Sequence, residues 1–185
     1  MTKEMTFNGV DMSRFFRIKD IIRPIGNKRS VSTDNAPLLG VNIQQVKRGE
    51  KEHIIKFDIK TTNAIEMEQL KHDLAGVLNV LEPVKITYGD EPDKYYMGLP
   101  VDEITPENLT RWFQRSELKI IIPDGVAHSS TYRKFDSEID ARQTSDKMLF
   151  TLTNNGTTPA FPIVTVKHNS ENGYVGLVNT SGALE

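Results

Sequence analysis

The chain has 185 residues and a mass of 20.9 kDa, with 37% hydrophobic and 26% charged residues, which is typical of a folded globular protein of one domain or slightly more. It contains no cysteine, which excludes disulfides, thiolate metal ligands and cysteine nucleophiles. The net charge of −2 does not favour nucleic acid as an obligatory partner, and no apolar run is long enough to insert into a membrane. We expect synthesis in the cytoplasm and no export signal.

The charge is unevenly distributed along the chain. Residues 1–60 hold 12 basic and 7 acidic side chains, whereas residues 61–185 hold 11 basic and 18 acidic ones. Ends of opposite sign suit a subunit that stacks or forms a ring with others, and two separate solvated surfaces explain the same counts. Charge alone leaves both interpretations open.

The N-terminal third predicts strands interrupted by an irregular segment. Residues 7–24 are rich in Phe and Ile and end at Pro24, which cannot donate to a strand ladder. Residues 25–40 show neither helical nor strand periodicity and predict a long loop or arm. Loops of this length are uncommon in compact domains and usually have a function. Strands at 41–46 and 54–60 then predict a hairpin, with a charged tip at residues 47–52.

Residues 63–81 predict the one strong helix. Asn63 is a favourable N-cap, and Glu66 stands at the position that completes a capping box. An apolar stripe at intervals of three and four follows, through Met67, Leu70, Leu74, Val77, Leu78 and Leu81. One helix among many strands indicates that it covers one face of a sheet or caps a sandwich.

The remainder predicts further strands separated by turns. Residues 105–113, which include Trp112, predict a helical turn or loop, and residues 128–147 predict a linker or domain junction. The predicted strands are 84–88, 95–99, 118–122, 148–153 and 161–167, with a last hairpin around Asn172. We predict a mainly β fold: a β-sandwich with one amphipathic helix and a projecting loop and hairpin, followed by the start of a second β-rich segment.

A search for catalytic groups finds none. The four histidines lack metal-ligand spacing and are expected on exposed loops or helix surfaces: His53, His72, His128 and His168. No phosphate-binding glycine loop or nucleophile elbow is present, and adjacent acids such as Asp90 and Glu91 point to opposite faces of a strand. Trp112 is expected in the core rather than as a sugar platform. The residues indicate no enzyme, metal site or cofactor.

The N-terminal motif nevertheless carries a resemblance. Its positions are Phe7, Asn8, Gly9, Asp11, Ser13, Phe15, Phe16, Arg23 and Pro24. This string resembles the opening of the distal tail proteins of long-tailed noncontractile bacteriophages, which also occur in prophages of Gram-positive bacteria. The strand 118–122 with Pro123 and the stretch 154–163 are similar to later parts of the same family, although Gly125 stands where a second proline is usual.

The resemblance implies a structural protein of the virion tail tip, made in the cytoplasm of the bacterial host. Members form a hexameric ring that stacks on the major tail-tube protein on one side and on the tail-associated tip protein on the other. In some phages the ring also holds receptor-binding or baseplate proteins. We expect a ring-forming domain at 1–127, a junction at 128–147, and a partial second domain at 148–185, galectin-like or carbohydrate-binding-module-like in relatives.

Subunit contacts are expected at the basic residues of the predicted arm and hairpin. These are Lys28, Arg29, Lys47, Arg48 and Lys51, which would meet acidic positions of a neighbouring subunit or ring. The simpler interpretation is that they are solvated loop charges. The alternative function is a monomeric carbohydrate-binding β-sandwich that acts as an adhesion module.

Overall fold

The structure is a computed structural model, which describes residues 3–35, 40–135, 141–143 and 148–167. The chain divides into two compact units, Met1–Arg133 and Lys134–Glu185. The first unit holds β1 (Met5–Phe7), β2 (Val10–Asp11), β3 (Arg17–Ile22), β4 (Arg29–Asn35), β5 (Val41–Arg48), β6 (Lys51–Lys60), α1 (Ala64–Leu78), β7 (Val84–Tyr88), β8 (Lys94–Val101), β9 (Glu107–Thr110), β10 (Phe113–Ile122) and β11 (His128–Ser129). The mainly β class with one helix is therefore confirmed.

Nine strands of the first unit form one antiparallel sheet. Its order is β2-β1-β7-β8-β10-β6-β3, with β11 beside β8 and β9 beside β10. The longest ladder joins β6 to β10, from Lys51 opposite Ile122 to Lys60 opposite Phe113. Along β6 the apolar residues Ile55, Phe57 and Ile59 alternate with more polar neighbours, and all three are buried.

The sheet changes pairing partner in the middle of β8. Residues 96–98 of this strand pair with β7, and residues 99–101 pair with β10. Gly98 lies at the change, where a Cβ atom would stand 2.6–2.8 Å from the side chains of Ile86, Ile120 and Ile122. Both halves of the sheet thus converge on a backbone position that has no room for a side chain.

The N-terminal motif builds the first corner of the fold. Asn8 and Gly9 have φ angles of 50° and 80° and form the two-residue turn of a hairpin in which Phe7 lies opposite Val10. The Asp11 carboxylate then accepts a hydrogen bond of 2.9 Å from the Ser13 N–H and begins a short 3-10 helix. The polar motif residues therefore shape the backbone.

The aromatic residues of the motif supply core contacts. Phe7 and Phe16 are buried, and the Phe16 ring stacks on that of Phe57 with centroids 4.2 Å apart. Phe15 is partly buried against the same core, whereas Pro24 is exposed just beyond the end of β3. The motif is thus tied to the fold of the first unit.

The helix begins as predicted but ends earlier. The Asn63 side chain accepts a 2.8 Å hydrogen bond from the Glu66 N–H, and the Glu66 carboxylate accepts one from the Thr62 N–H, one residue before the expected partner. Met67 and Leu74 are buried against the sheet. The helix stops at Leu78, so Leu81 does not join its apolar stripe and is 92% exposed.

Several predicted boundaries were wrong. Residues 107–110 form β9 instead of a helical turn or loop. The division between the two units, after Arg133, lies within the predicted junction at 128–147, which also contains β11 and β12 (Ala141–Gln143). In the second unit β12 pairs with β13 (Met148–Phe150), while residues 161–167 form no strand. The predicted hairpin around Asn172 lies outside the described residues. The division at residues 127 and 148 into a ring domain and a partial outer domain stays a prediction.

Candidate assembly surface

The most exposed part of the first unit is a two-stranded arm formed by β4 and β5. The two strands pair with each other from Arg29 opposite Arg48 to Asn35 opposite Val41, and none of their side chains is buried. The predicted hairpin between the strands at 41–46 and 54–60 was wrong. β5 pairs instead with β4, the strand that precedes it, and the chain then continues through Gly49 and Glu50 into β6. The arm expected at 25–40 is one strand of this hairpin.

The two faces of the arm differ in polarity. Residues that lie directly opposite each other share a face, and one face carries the pairs Val31–Val46, Thr33–Ile43 and Asn35–Val41. The other face carries Ser30–Lys47, Ser32–Gln45 and Asp34–Asn42. The first face therefore carries the apolar residues of the arm, and Ile43, the most exposed of these four, has 65% of its surface open to solvent.

The five basic residues proposed for subunit contacts fall into different positions. Arg29 and Arg48 lie opposite each other on the apolar face, whereas Lys47 projects from the polar face. Lys51 is half-buried at the start of β6. Lys28 lies at the base of the arm, with its Nζ 2.9 Å from Glu50 Oε1 and 3.8 Å from Glu52 Oε2.

The base of the arm is anchored to the sheet by backbone and side-chain bonds. The Lys28 N–H donates to the Glu50 carbonyl at 3.1 Å, and the Gly49 N–H donates to the Lys28 carbonyl at 2.8 Å. Arg23, at the end of β3, forms ion pairs with Asp90 and Glu91 of the turn between β7 and β8. The backbone bonds of Lys28 thus join the two strands of the arm at its base, and the ion pairs of Arg23 fix the end of β3 to the β7–β8 turn.

A buried polar network lies beneath this anchor. His53 is 1% exposed, and its Nδ1 is 2.9 Å from the Tyr88 hydroxyl. Burial, together with the charges of Arg23 and Lys51, lowers the pKa of His53 to about 4. Burial also raises the pKa of Tyr96 to about 12, with its hydroxyl donating to Glu91 at 2.8 Å.

Two expectations for single residues were wrong. His53 was predicted on the surface and lies in the core, because its place on β6 alternates with the outward-facing residues. Trp112 was predicted in the core and is 46% exposed at the turn between β9 and β10. An exposed tryptophan is available for contact with another molecule, and its use as a sugar platform stays untested.

The described residues show no group of three or more His, Asp or Glu side chains arranged to hold a metal ion. His128 Nε2 lies 2.6 Å from Asp124 Oδ2, and its ring stacks on Tyr95 at 5.1 Å. In the part of the chain that is described, no helix is long and apolar enough to cross a membrane. The exposed apolar side chains of β4 and β5 make the arm the candidate functional site.

Comparisons with known proteins return a family model and a solved structure. Residues 8–122 match the family model of the phage tail protein RIFT-related domain. No curated protein matches the sequence. Among solved structures, the chain resembles the crystal structure of Dit from phage SPP1, described as a paradigm of the hub adsorption apparatus in phages that infect Gram-positive bacteria.

The likeness to SPP1 Dit is one of fold. The TM-score is 0.63 at 16% sequence identity, and the matched region covers 70% of this chain and 53% of that protein. The chain thus spans about half the length of the solved relative. The match to the family model covers well over half of the chain and includes β3 to β10 with the arm. The chain therefore belongs to the family of phage tail proteins that carry the RIFT-related domain, as its N-terminal motif predicted.

Proposed function

We propose that this chain is a non-enzymatic hub of the tail, which forms a hexameric ring at the junction between the tail tube and the tail tip. Membership of the family supports a structural role in the virion tail. The fold of SPP1 Dit, a hub protein, supports the place of this chain within the tail. In this role the ring contacts the major tail-tube protein on one side and the tail-associated tip protein on the other, with receptor-binding or baseplate proteins attached to it.

The observation that carries the proposal is the exposed apolar face of the arm. An isolated two-stranded hairpin is marginally stable in water, and exposed strand edges promote pairing with other chains. Here Val31, Val41, Ile43 and Val46 are each about half exposed or more, on an element that projects from the sheet. A contact with another protein surface would bury these side chains and stabilise the arm.

The proposal predicts that the purified chain assembles through the arm. Sedimentation velocity should reveal a species of about six times the 20.9 kDa chain mass, and negative-stain microscopy should show rings. Replacing residues 30–47 with an Asn-Gly turn would join Arg29 to Arg48 and remove the arm without touching any core residue. This variant should remain folded and become monomeric.

The control is the unfolding of the shortened variant in urea, which should remain cooperative because the buried residues lie elsewhere. A full-length chain that stays monomeric at high concentration would contradict the ring. Rings that persist in the shortened variant would instead show that the arm is not part of the contact.

A further inference from the structure

Side chains, and not backbone pairing, join β3 to the opposite half of the large sheet. Among the described strands β3 pairs only with β6, so its other edge has no strand beside it. Lys3, which precedes β1, forms an ion pair with Asp20 of β3. Arg23, just beyond the end of β3, forms ion pairs with Asp90 and Glu91 in the turn between β7 and β8. Because ion pairs near the surface are individually weak, a small change in charge can separate this end of β3 from the turn.

Arg23 is held in place by an aromatic ring as well as by the two carboxylates. Its Cζ lies 4.9 Å from the centre of the Tyr88 ring on β7, which is a cation–π contact. Its Nη1 is buried without a hydrogen bond to any described residue and lies 3.4 Å from Glu91 Oε2. The guanidinium therefore depends on the negative charge of Glu91 for compensation. We call Arg23, Tyr88, Asp90 and Glu91 the latch.

The buried His53 contacts both tyrosines that support the latch. Its Nδ1 is 2.9 Å from the Tyr88 hydroxyl, and its ring stands edge-on to that of Tyr96, with centroids 4.8 Å apart. The Tyr96 hydroxyl donates to Glu91 Oε2 at 2.8 Å, the same oxygen atom that faces Arg23. His53 is thus connected to the ring beneath Arg23 and to the hydroxyl that holds Glu91.

The charges around His53 oppose a second cation at this place. Burial disfavours the imidazolium most, and the positive charges of Arg23 and Lys51 disfavour it further. Glu91 favours it, but the same carboxylate compensates Arg23. Since one carboxylate cannot neutralise two neighbouring cations, a proton on His53 and a closed latch exclude each other.

The other titratable groups of the cluster do not take over this role. Burial raises the pKa of Tyr88 above its ordinary value and that of Tyr96 to about 12, so both hydroxyls stay protonated in neutral and acidic solution. The side chain of Asp90 is 59% exposed, and its charge is compensated by Arg23 and by solvent. Among these groups, His53 is therefore the one whose proton uptake adds a positive charge inside the fold.

We propose that the latch is acid-sensitive: when His53 takes up a proton from solvent, Arg23 leaves the Tyr88 ring and the end of β3 separates from the β7–β8 turn. In the open form both cations reach water. The ladder between β6 and β10 contains no latch residue and stays paired. Acid thereby frees residues 23–27, the connection from β3 to the arm. This inference concerns the first unit by itself and does not depend on the proposed ring.

Hydrogen exchange measured by mass spectrometry tests the opening in the full chain, whatever its oligomeric state. Peptides covering residues 20–27 should lose protection by about twentyfold from pH 7 to pH 5, after correction for intrinsic exchange, if His53 titrates near 4 when closed and near 6.5 when open. Peptides covering β10 should keep their protection. An equal loss in β10 would mean that the whole unit opens in acid, and it would overturn the proposal.

Two variants separate His53 from the acidic groups. His53→Gln keeps a polar side chain but cannot take up the proton, so the loss of protection in acid should disappear. Lys3→Gln is the matched control, because it removes an ion pair of β3 that lies outside the latch, and it should keep the full loss. If His53→Gln shows the same loss as the unaltered chain, protonation of Asp90 or Glu91 opens the latch and the proposal is wrong.

Arg23→Gln tests the latch while His53 stays in place. Without the guanidinium, residues 20–27 should already be less protected at pH 7 and should change little further at pH 5. The protection of β10 should again stay constant, which shows that the variant is folded. If Arg23→Gln and the unaltered chain exchange equally at pH 7, Arg23 does not hold the end of β3 and the latch does not exist.

Discussion

At the scale of single residues, the fold is specified by side chains whose neighbours come from distant parts of the chain. Gly98 is needed because isoleucines of β7 and β10 occupy the space where its Cβ would stand. His53 is buried beside Tyr88, 35 positions further along the chain. The partners of these residues are not visible in the local pattern, although the alternation along β6 already places His53 on the same face as the buried Ile55 and Phe57.

The burial of His53 predicts a specific dependence of stability on pH. Its pKa of about 4 in the fold lies below the ordinary value of 6.5, so the folded state favours the neutral imidazole. Its contribution is complete above pH 6.5 and is lost as the pH falls from 6.5 toward 4, by about 3 kcal/mol at most. Urea unfolding at a series of pH values measures this loss.

The control for this prediction is His53→Gln, which keeps a polar side chain but cannot titrate. The unfolding free energy of this variant should fall less between pH 6.5 and 4.5 than that of the unaltered chain. Parallel curves for the two proteins would show that His53 is not the titrating group.

At the scale of the elements, the sequence predicted correctly those features that depend on interactions between residues close together in the chain. The N-cap of α1 was predicted from Asn63 and Glu66, and the structure confirms it through a bond that spans three residues. The end of the helix and the pairing of β5 were not predicted, because they depend on packing and on hydrogen bonds between separate strands.

The N-cap of α1 leads to a direct prediction. Asn63→Ala removes the acceptor of the Glu66 N–H and should lower the free energy of unfolding by about 1 kcal/mol. Asn63→Ser, which keeps an acceptor at the cap, should preserve most of the stability. Denaturant unfolding of both variants provides the measurement, and equal losses would show that the side-chain bond is not what stabilises the start of the helix.

At the scale of the whole molecule, the first unit contains the hydrophobic core of the described residues. Every buried hydrophobic residue among those described lies between Met5 and Ile122, and the family model ends at Ile122. The arm belongs to this unit as well. Folding and the proposed assembly should therefore both reside in it.

A shortened chain tests whether the first unit folds and assembles without the second. Residues 1–133 alone should unfold cooperatively with a denaturant midpoint close to that of the full chain, because no core residue is removed. The same protein should retain the oligomeric state of the full chain in sedimentation velocity. A broad, non-cooperative transition would show that the second unit is required for the fold of the first.

The sequence by itself determined where the helix begins and identified the strands at 41–46, 54–60, 84–88, 95–99 and 118–122, because alternation and capping depend on residues within a few positions of one another. It also determined the family, through the motif from Phe7 to Pro24. Only the tertiary structure decided that β5 pairs with β4 instead of β6, that His53 is buried against Tyr88, and that the apolar residues of the arm are exposed. These features depend on which strands pair and pack with each other, and a local sequence pattern does not contain the free energy of those contacts.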